Sequence, residues 1–461
     1  MSAKDDLIQP DRGQIAVPIH LVNKESHEAF ARALSGPQRA ALAGQGFTGA
    51  GYQVGIVPDG ESWFAVGGVA NPDELSSWCL AKLAEVLPAG TYRLAEGCEA
   101  GPALHGWQGA QYVFDRYRRD DEAKGPRILL TAEVGRIPLA LAITRAETLV
   151  ADMVNTPAED MGPEAIEAEA KAVAERHGAA FHVVRGDALK TGFPMVHAVG
   201  RAAAREHAPR LVEFTWGDEA HPRVAIVGKG VAFDSGGLDI KPASGMLLMK
   251  KDMGGAAHAL ALASLIMQTG LKVRLHCLLP CVENAISGNA FRPGDVLASR
   301  KGLTVEIGNT DAEGRLILGD ALAYASESAP ELVLDFATLT GAARVAVGPD
   351  LPALFTRRDS TADALLAAGR EHDDPCWRLP LHAPYAEWLK SDIADLNNTH
   401  SNGFAGASVA ASFLDRFVGE GVEWAHFDTF AWRPAGKPGR PKGGAALGLR
   451  ASFHMLKARY G

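Results

Sequence analysis

The sequence predicts an α/β protein in which a smaller N-terminal α/β domain is joined by a helix to a larger C-terminal domain with a mainly parallel central sheet. Three observations carry this reading. At 461 residues the chain exceeds the roughly 250–300 at which a single core stops growing. From Asn155 onward, strand-like and helix-like runs alternate, the rhythm of a parallel sheet with helices on both faces. Between the halves lies Pro138–Asn155, with apolar residues at helical spacing, a proline near its start and Thr156-Pro157 to stop it. The expected division is 1–134, a connecting helix within 135–155, and 156–461.

In the N-terminal part, short apolar runs at Gln14–Leu21, Tyr52–Val57 and Trp63–Val66 read as strands, Pro72–Val86 as a helix, and Ile128–Thr131 as the last strand. No cluster there suggests chemistry. In the C-terminal part, helices are expected at Pro163–His177, Gly255–Gln268 and Leu316–Glu327. Strands are expected at Ala180–Val184, Arg210–Thr215, Arg223–Val227, Lys272–Leu279, Thr304–Ile307 and Glu331–Asp335. Ligands of such sheets bind beyond the carboxyl ends of the strands, so the polar residues after Val227, Leu279, Ile307 and Phe336 carry most interest.

Composition narrows the function classes. Lys+Arg number 46 and Asp+Glu 55, a net charge of −9 that argues against a dedicated nucleic-acid binder. The opening MSAKDDLIQPDRG lacks the basic end and apolar run of a secretory leader, and no window reaches the roughly 18 apolar residues of a membrane span. Five cysteines, none in CxxC spacing, read as reduced thiols. A cytoplasmic protein is expected.

Three segments carry chemistry. Val227–Lys241 follows a buried strand and supplies Lys229, Asp234 and Lys241 among glycines. It is not a phosphate loop, because Gly230 stands where Ser or Thr is needed, nor a dinucleotide fingerprint, because Phe233 takes the third glycine position. Asp234-Ser-Gly-Gly237 resembles a serine-protease nucleophile loop, but that needs an all-β chain. Met249–Ala257 places Asp252 ahead of an apolar helix, where a plain N-cap is the competing reading. Asn309–Leu316 puts Asp311, Glu313 and Arg315 between a strand and a helix, where acidic residues also suit the helix dipole. Taken together, Asp234, Asp252, Asp311 and Glu313 bring four negative charges, which two divalent cations would balance. Lys229 then serves as a neutral amine ligand, while Lys241 and Arg315 stay charged to hold an anionic base and a developing oxyanion.

Asn309–Leu316 is identical to the signature octapeptide of the leucyl aminopeptidase family. Gly228–Lys241, Asp252–Ala257 and Ala337-Thr-Leu-Thr-Gly341 resemble its other motifs, and the resemblance runs from Asn155 to Gly461. It implies a dinuclear metalloaminopeptidase that removes N-terminal amino acids from peptides by way of a two-metal-activated water, with 156–461 as the catalytic domain. By the same resemblance Lys229, Asp234, Asp252, Asp311 and Glu313 are metal ligands, Asp234 and Glu313 bridging, with the Asp311 carbonyl a further ligand. Lys241 and Arg315 are the catalytic pair, and Met249, Asn309, Thr338 and Gly341 lie at the substrate. Two zinc or manganese ions per subunit, a bicarbonate at Arg315 and a homohexamer complete the implied assembly. The alternatives are a narrow dipeptidase of cysteinylglycine type and an inactive structural or DNA-binding relative. Phe430 and Arg433 depart from the family, standing where many relatives have small or apolar residues lining the side-chain pocket. They imply a weakened preference for leucine, with Arg433 drawing an acidic or polar side chain. His258 and His426 read as core histidines, and Pro434–Gly444 as a mobile surface loop.

Overall fold

A computed structural model describes residues 6–118 and 125–461, so the first five residues of the N-terminal stretch read above lie outside the described residues. The chain divides into two compact units, residues 1–148 with 435–442, and 149–434 with 443–461. The connecting helix is present as Ile137–Asn155.

The first unit holds a six-stranded sheet of β1 (Ile8–Pro10), β2 (Val17–Val22), β3 (Val54–Asp59), β4 (Ser62–Gly68), β5 (Gly90–Leu94) and β6 (Arg127–Thr131), in the order β1-β6-β5-β2-β4-β3. All pairings are parallel except the β3–β4 hairpin. Ile8, Ile19, Tyr92, Trp107 and Leu129 fill its core. The expected helix over Pro72–Val86 is shorter, only Ala81–Val86. Asn71 accepts a hydrogen bond from the Asp73 N–H, a local turn that competes with helix in this stretch. Residues 435–442 are tied down in this unit and do not form the free loop the sequence suggested. The Gly439 N–H donates to Glu85 at 2.7 Å, and the Arg440 guanidinium lies 4.7 Å over the Trp78 ring.

The second unit is built on nine strands: β7 (Ala180–Arg185), β8 (Arg210–Trp216), β9 (Arg223–Gly228), β10 (Gly230–Asp234), β11 (Arg274–Asn284), β14 (Leu332–Ala337), β15 (Ala353–Thr356), β16 (Trp377–Arg378) and β18 (Glu423–Asp428). Between them fall the short β12 (Val296–Ala298), β13 (Thr304–Glu306) and β17 (Leu396–Asn397) of a separate small sheet. The large sheet runs β16-β15-β18-β14-β9-β11-β8-β7, with β10 alongside β11. Its centre, β11-β9-β14-β18, is wholly parallel, and antiparallel strands appear at the flanks. The central strands are buried on both faces, which is why they read as continuous apolar runs. The wholly buried helical residues Ala256, Leu260 and Leu265 come from Gly254–Thr269, and Leu316–Leu318 from Gly314–Glu327.

Register sets what lies at the carboxyl edge. Phe336 pairs with Gly228 and Ala337 with Asp428, so Lys229, Thr338 and Thr429 emerge side by side. His258 is a satisfied core histidine, bonded to the Gly254 carbonyl and to the Leu447 N–H. His426 is likewise enclosed, on β18, with Nδ1 2.6 Å from Asp335 of β14, whose other oxygen accepts from Trp424. Burial works to lower the His426 pKa, but the Asp335 carboxylate outweighs it and holds the imidazole above its ordinary value. A raised folded pKa adds stability below about pH 6.5 that is lost as pH climbs through the folded value. Unfolding free energy should therefore fall as pH rises from mildly acidic to mildly alkaline, and Asp335→Asn should flatten that part of the profile. Denaturant titrations at several pH values check this, and equal slopes in both proteins would reject the charged pair.

Candidate metal centre and active site

Lys229 is the first residue beyond β9. Its N–H donates to the Phe336 carbonyl at 3.0 Å and its own carbonyl accepts from the Ala256 N–H at 2.7 Å, so its backbone is clamped between β14 and a helix start. This clamp requires Gly255, where a Cβ would sit 2.2 Å from the Phe336 oxygen, and the side chain then crosses Gly314, where a Cβ would meet its Cε at 2.4 Å. Asp234 closes β10 and is held by Asn284, whose amide donates to one Asp234 oxygen at 2.8 Å and to the Thr310 carbonyl. The loop then folds back, the Lys241 N–H donating to the Ser235 carbonyl.

Asp252 sits in a 3-10 turn, Met249–Met253, ahead of its helix, and Met253 takes the cap position. Its carboxylate caps nothing. It accepts from the Lys229 ammonium at 2.7 Å and from the Thr338 hydroxyl at 2.8 Å. Glu313 does stand at the N-cap of Gly314–Glu327, yet its side chain makes no capping bond and turns to Lys229 at 3.0 Å. The plain N-cap reading of Asp252 therefore fails on geometry, whereas Glu313 keeps the helix-start position expected of it while its side chain faces Lys229.

Asp234, Asp252 and Glu313 are all buried, and each brings a carboxylate oxygen within 4.8 Å of the others. Asp311 stands beside them, sharing the Lys241 ammonium with Asp234, which lies 2.9 Å from it. Beyond the Lys229 contact at Oε1, Glu313 has no hydrogen-bond partner among the described residues, and its Oε2 is left without one. Burial first, then Asp234, push the Glu313 carboxyl up to about 8 against the pull of Lys229. Burial and Asp234 likewise raise Asp311 to about 6 despite Lys241. Burial also opposes the charge on Lys229, but Asp252, Glu313 and Asp234 outweigh it and hold the amine above the usual lysine range. Both lysines thus lie against carboxylates, Lys229 Nζ 2.7 Å from Asp252 and Lys241 Nζ 2.9 Å from Asp234. The oxygen-rich cluster with an orphaned Glu313 oxygen is a donor set that fits divalent cations.

Arg315 is enclosed beside this cluster. One nitrogen donates to the Asn398 carbonyl at 2.6 Å, Nε has no partner among the described residues, and burial lowers its pKa to about 10 against the pull of Glu313. All eleven expected residues, Lys229, Asp234, Lys241, Met249, Asp252, Asn309, Asp311, Glu313, Arg315, Thr338 and Gly341, line one cavity of about 590 Å³ within the second unit. Phe430 lines it as well, but Arg433 does not; it pairs with Gly443 in a short ladder. The cations at Phe430 are instead Lys251, 5.4 Å from the ring centre, and Arg344, at 4.8 Å.

Sequence reading missed several residues. Asn398, fully buried, accepts from the Gly308 and Asn309 N–H groups and donates to the Asn309 carbonyl, stitching the Asn309–Leu316 turn in place. Asp428 accepts from the Leu339 and Thr340 N–H groups and the Thr340 hydroxyl, fixing the segment after Thr338. Their only sequence signal is position at strand ends, Asn398 just after β17 and Asp428 as the last residue of β18.

The chain matches two family models, the cytosol aminopeptidase family catalytic domain over residues 148–452 and the M17 aminopeptidase N-terminal domain over 17–129. The probable cytosol aminopeptidase of Caulobacter vibrioides is 37% identical, the match covering 97% of this chain and 96% of that one. Peptidase B of an Enterobacter species is 41% identical over 67% of this chain and 74% of its own length. Among solved structures, the cytosol aminopeptidase of Coxiella burnetii superposes with a TM-score of 0.94 at 43% identity, covering 99% of this chain and 100% of that one. The bottromycin maturation enzyme BotP, solved in complex with Mn, gives 0.86 at 33% identity, over 99% and 100% of the two chains. With both family models in their expected places and the carboxylate cluster assembled, the chain belongs to the cytosol aminopeptidase family of metal-dependent aminopeptidases.

Proposed function

We propose that the chain is a dinuclear metalloaminopeptidase that releases N-terminal residues from peptides. The observation that carries this reading is the enclosed group Asp234, Asp252 and Glu313, in which Glu313 Oε1 meets the Lys229 ammonium and Oε2 has no hydrogen-bond partner among the described residues. Asp311 adds a fourth carboxylate, and Lys229 would join as an amine ligand once its proton is displaced. Two Zn²⁺ or Mn²⁺ ions suit these donors; when bound, they supply the charge that activates a water and polarises the scissile carbonyl.

The remaining chemistry belongs to the protein. Lys241, at the edge of the cluster beside Asp234, would donate to the oxygen of the scissile carbonyl as negative charge develops there. Arg315 lines the cavity with its Nε–H unpartnered among the described residues and would hold a small anion such as bicarbonate as the general base. Met249, Asn309, Thr338 and Gly341 would contact the peptide, with Thr338 and Asp252 already hydrogen-bonded. We extend the family reading to a homohexamer working in the cytoplasm; no helix among the described residues is long and apolar enough to cross a membrane.

Chelation should abolish hydrolysis of aminoacyl amides, and Mn²⁺ or Zn²⁺ should restore it. Full activity in thoroughly stripped protein would sink the dinuclear reading. The two lysines should fail differently. Lys229→Ala should lower metal affinity, with partial rescue by excess metal. Lys241→Ala should keep its metal and lose about 10²–10³ in kcat, as for one lost oxyanion donor. Bound metal and kcat measured side by side decide the matter, and the opposite pattern would exchange their roles.

A further inference from the structure

We infer that Arg344 selects substrates whose N-terminal residue carries an acidic side chain, glutamate or aspartate. This inference rests on the aminopeptidase reading and names the substrate class of that same site. If the peptide's reacting end sits at the carboxylate cluster, its first side chain must lie against the cavity wall next to that cluster. Lys251 marks this wall, since its ammonium is 3.7 Å from Asp252 and also 5.4 Å from the centre of the Phe430 ring. Arg344 lies against the same ring at 4.8 Å, exposed and lining the same cavity.

Two cations, Lys251 and Arg344, attend the Phe430 ring on this wall. Among the described residues no carboxylate pairs with the Arg344 guanidinium, which sits in a helix of residues Gly341–Val347. Asp428, which lines the same cavity, has its oxygens occupied by the Leu339 and Thr340 N–H groups and the Thr340 hydroxyl. A leucine side chain would meet an aromatic ring already attended by two cations. A carboxylate would gain a planar donor fork held in place by stacking, the geometry in which arginine outperforms lysine. The sequence placed the selecting cation at Arg433; the structure moves it to Arg344.

The test compares glutamyl, aspartyl, leucyl and lysyl amides, which carry no C-terminal carboxylate, on metal-loaded wild type, Arg344→Met, Arg344→Lys and Arg344→Glu. The wild type should favour the acidic amides over leucyl amide in kcat/KM. Arg344→Met should cut the glutamyl-to-leucyl ratio about tenfold, the size of one charge-assisted hydrogen bond. Arg344→Lys should keep part of that ratio, and Arg344→Glu should turn the preference toward the lysyl amide. Ratios that stay the same in all four proteins would overturn the assignment. So would a loss confined to free dipeptides, which would place the guanidinium at the peptide's C-terminal carboxylate. A metal-loaded wild type that cleaves no aminoacyl amide would overturn the aminopeptidase reading itself.

Discussion

Uncompensated negative charge in an enclosed space is the constraint on which this structure depends. Three buried carboxylates, Asp234, Asp252 and Glu313, crowd within one ion's reach of one another, and Asp311 stands at their edge. Two ammonium groups, from Lys229 and Lys241, offset part of this charge, while burial and the neighbouring carboxylates push the Glu313 carboxyl up. Such a cluster would be a liability in a protein selected for stability alone. It persists because the backbone around it is over-determined.

That over-determination comes from the parallel centre of the sheet. Strand ends at Gly228, Ala337 and Asp428 lie in register, so short loops deliver Lys229, Thr338 and Phe430 to one place. Neutral amides then hold the acidic loops without adding charge: Asn284 holds Asp234, and Asn398 holds the turn that bears Asp311 and Glu313. The Asp335–His426 pair ties β14 to β18 just below this edge. Residues behind the cavity thereby set the spacing of those that line it.

The catalytic unit was legible because its signals are local. Apolar runs bounded by glycine gave the strands, helical spacing gave Ile137–Asn155, and the chemistry-bearing residues fall directly after strands, where an α/β sheet places ligands. The first unit was less legible. Its edge strand Ile8–Pro10 is three residues long, and its helix His27–Ala33 buries none of its residues, so no apolar period marks it. Asn284, Asn398 and Asp428 escaped notice because their partners are 26 to 90 residues away in sequence, and hydrogen bonds of that span leave no periodic trace. Arg433, which does not line the cavity, was singled out for the same reason. Proximity to Phe430 in sequence pointed to it, whereas the ring reaches Arg344 across the fold.

The central claim is that this charge cluster is completed by two metal ions. Elemental analysis of the protein after equilibration with Mn²⁺ or Zn²⁺ and removal of excess ion tests it most directly, with Glu313→Gln and Asp252→Asn beside the wild type and circular dichroism confirming the fold. The account predicts two ions per chain in the wild type and a clear loss in both folded variants. Metal content that is absent from the wild type, or unchanged when these carboxylates are neutralised, would contradict it.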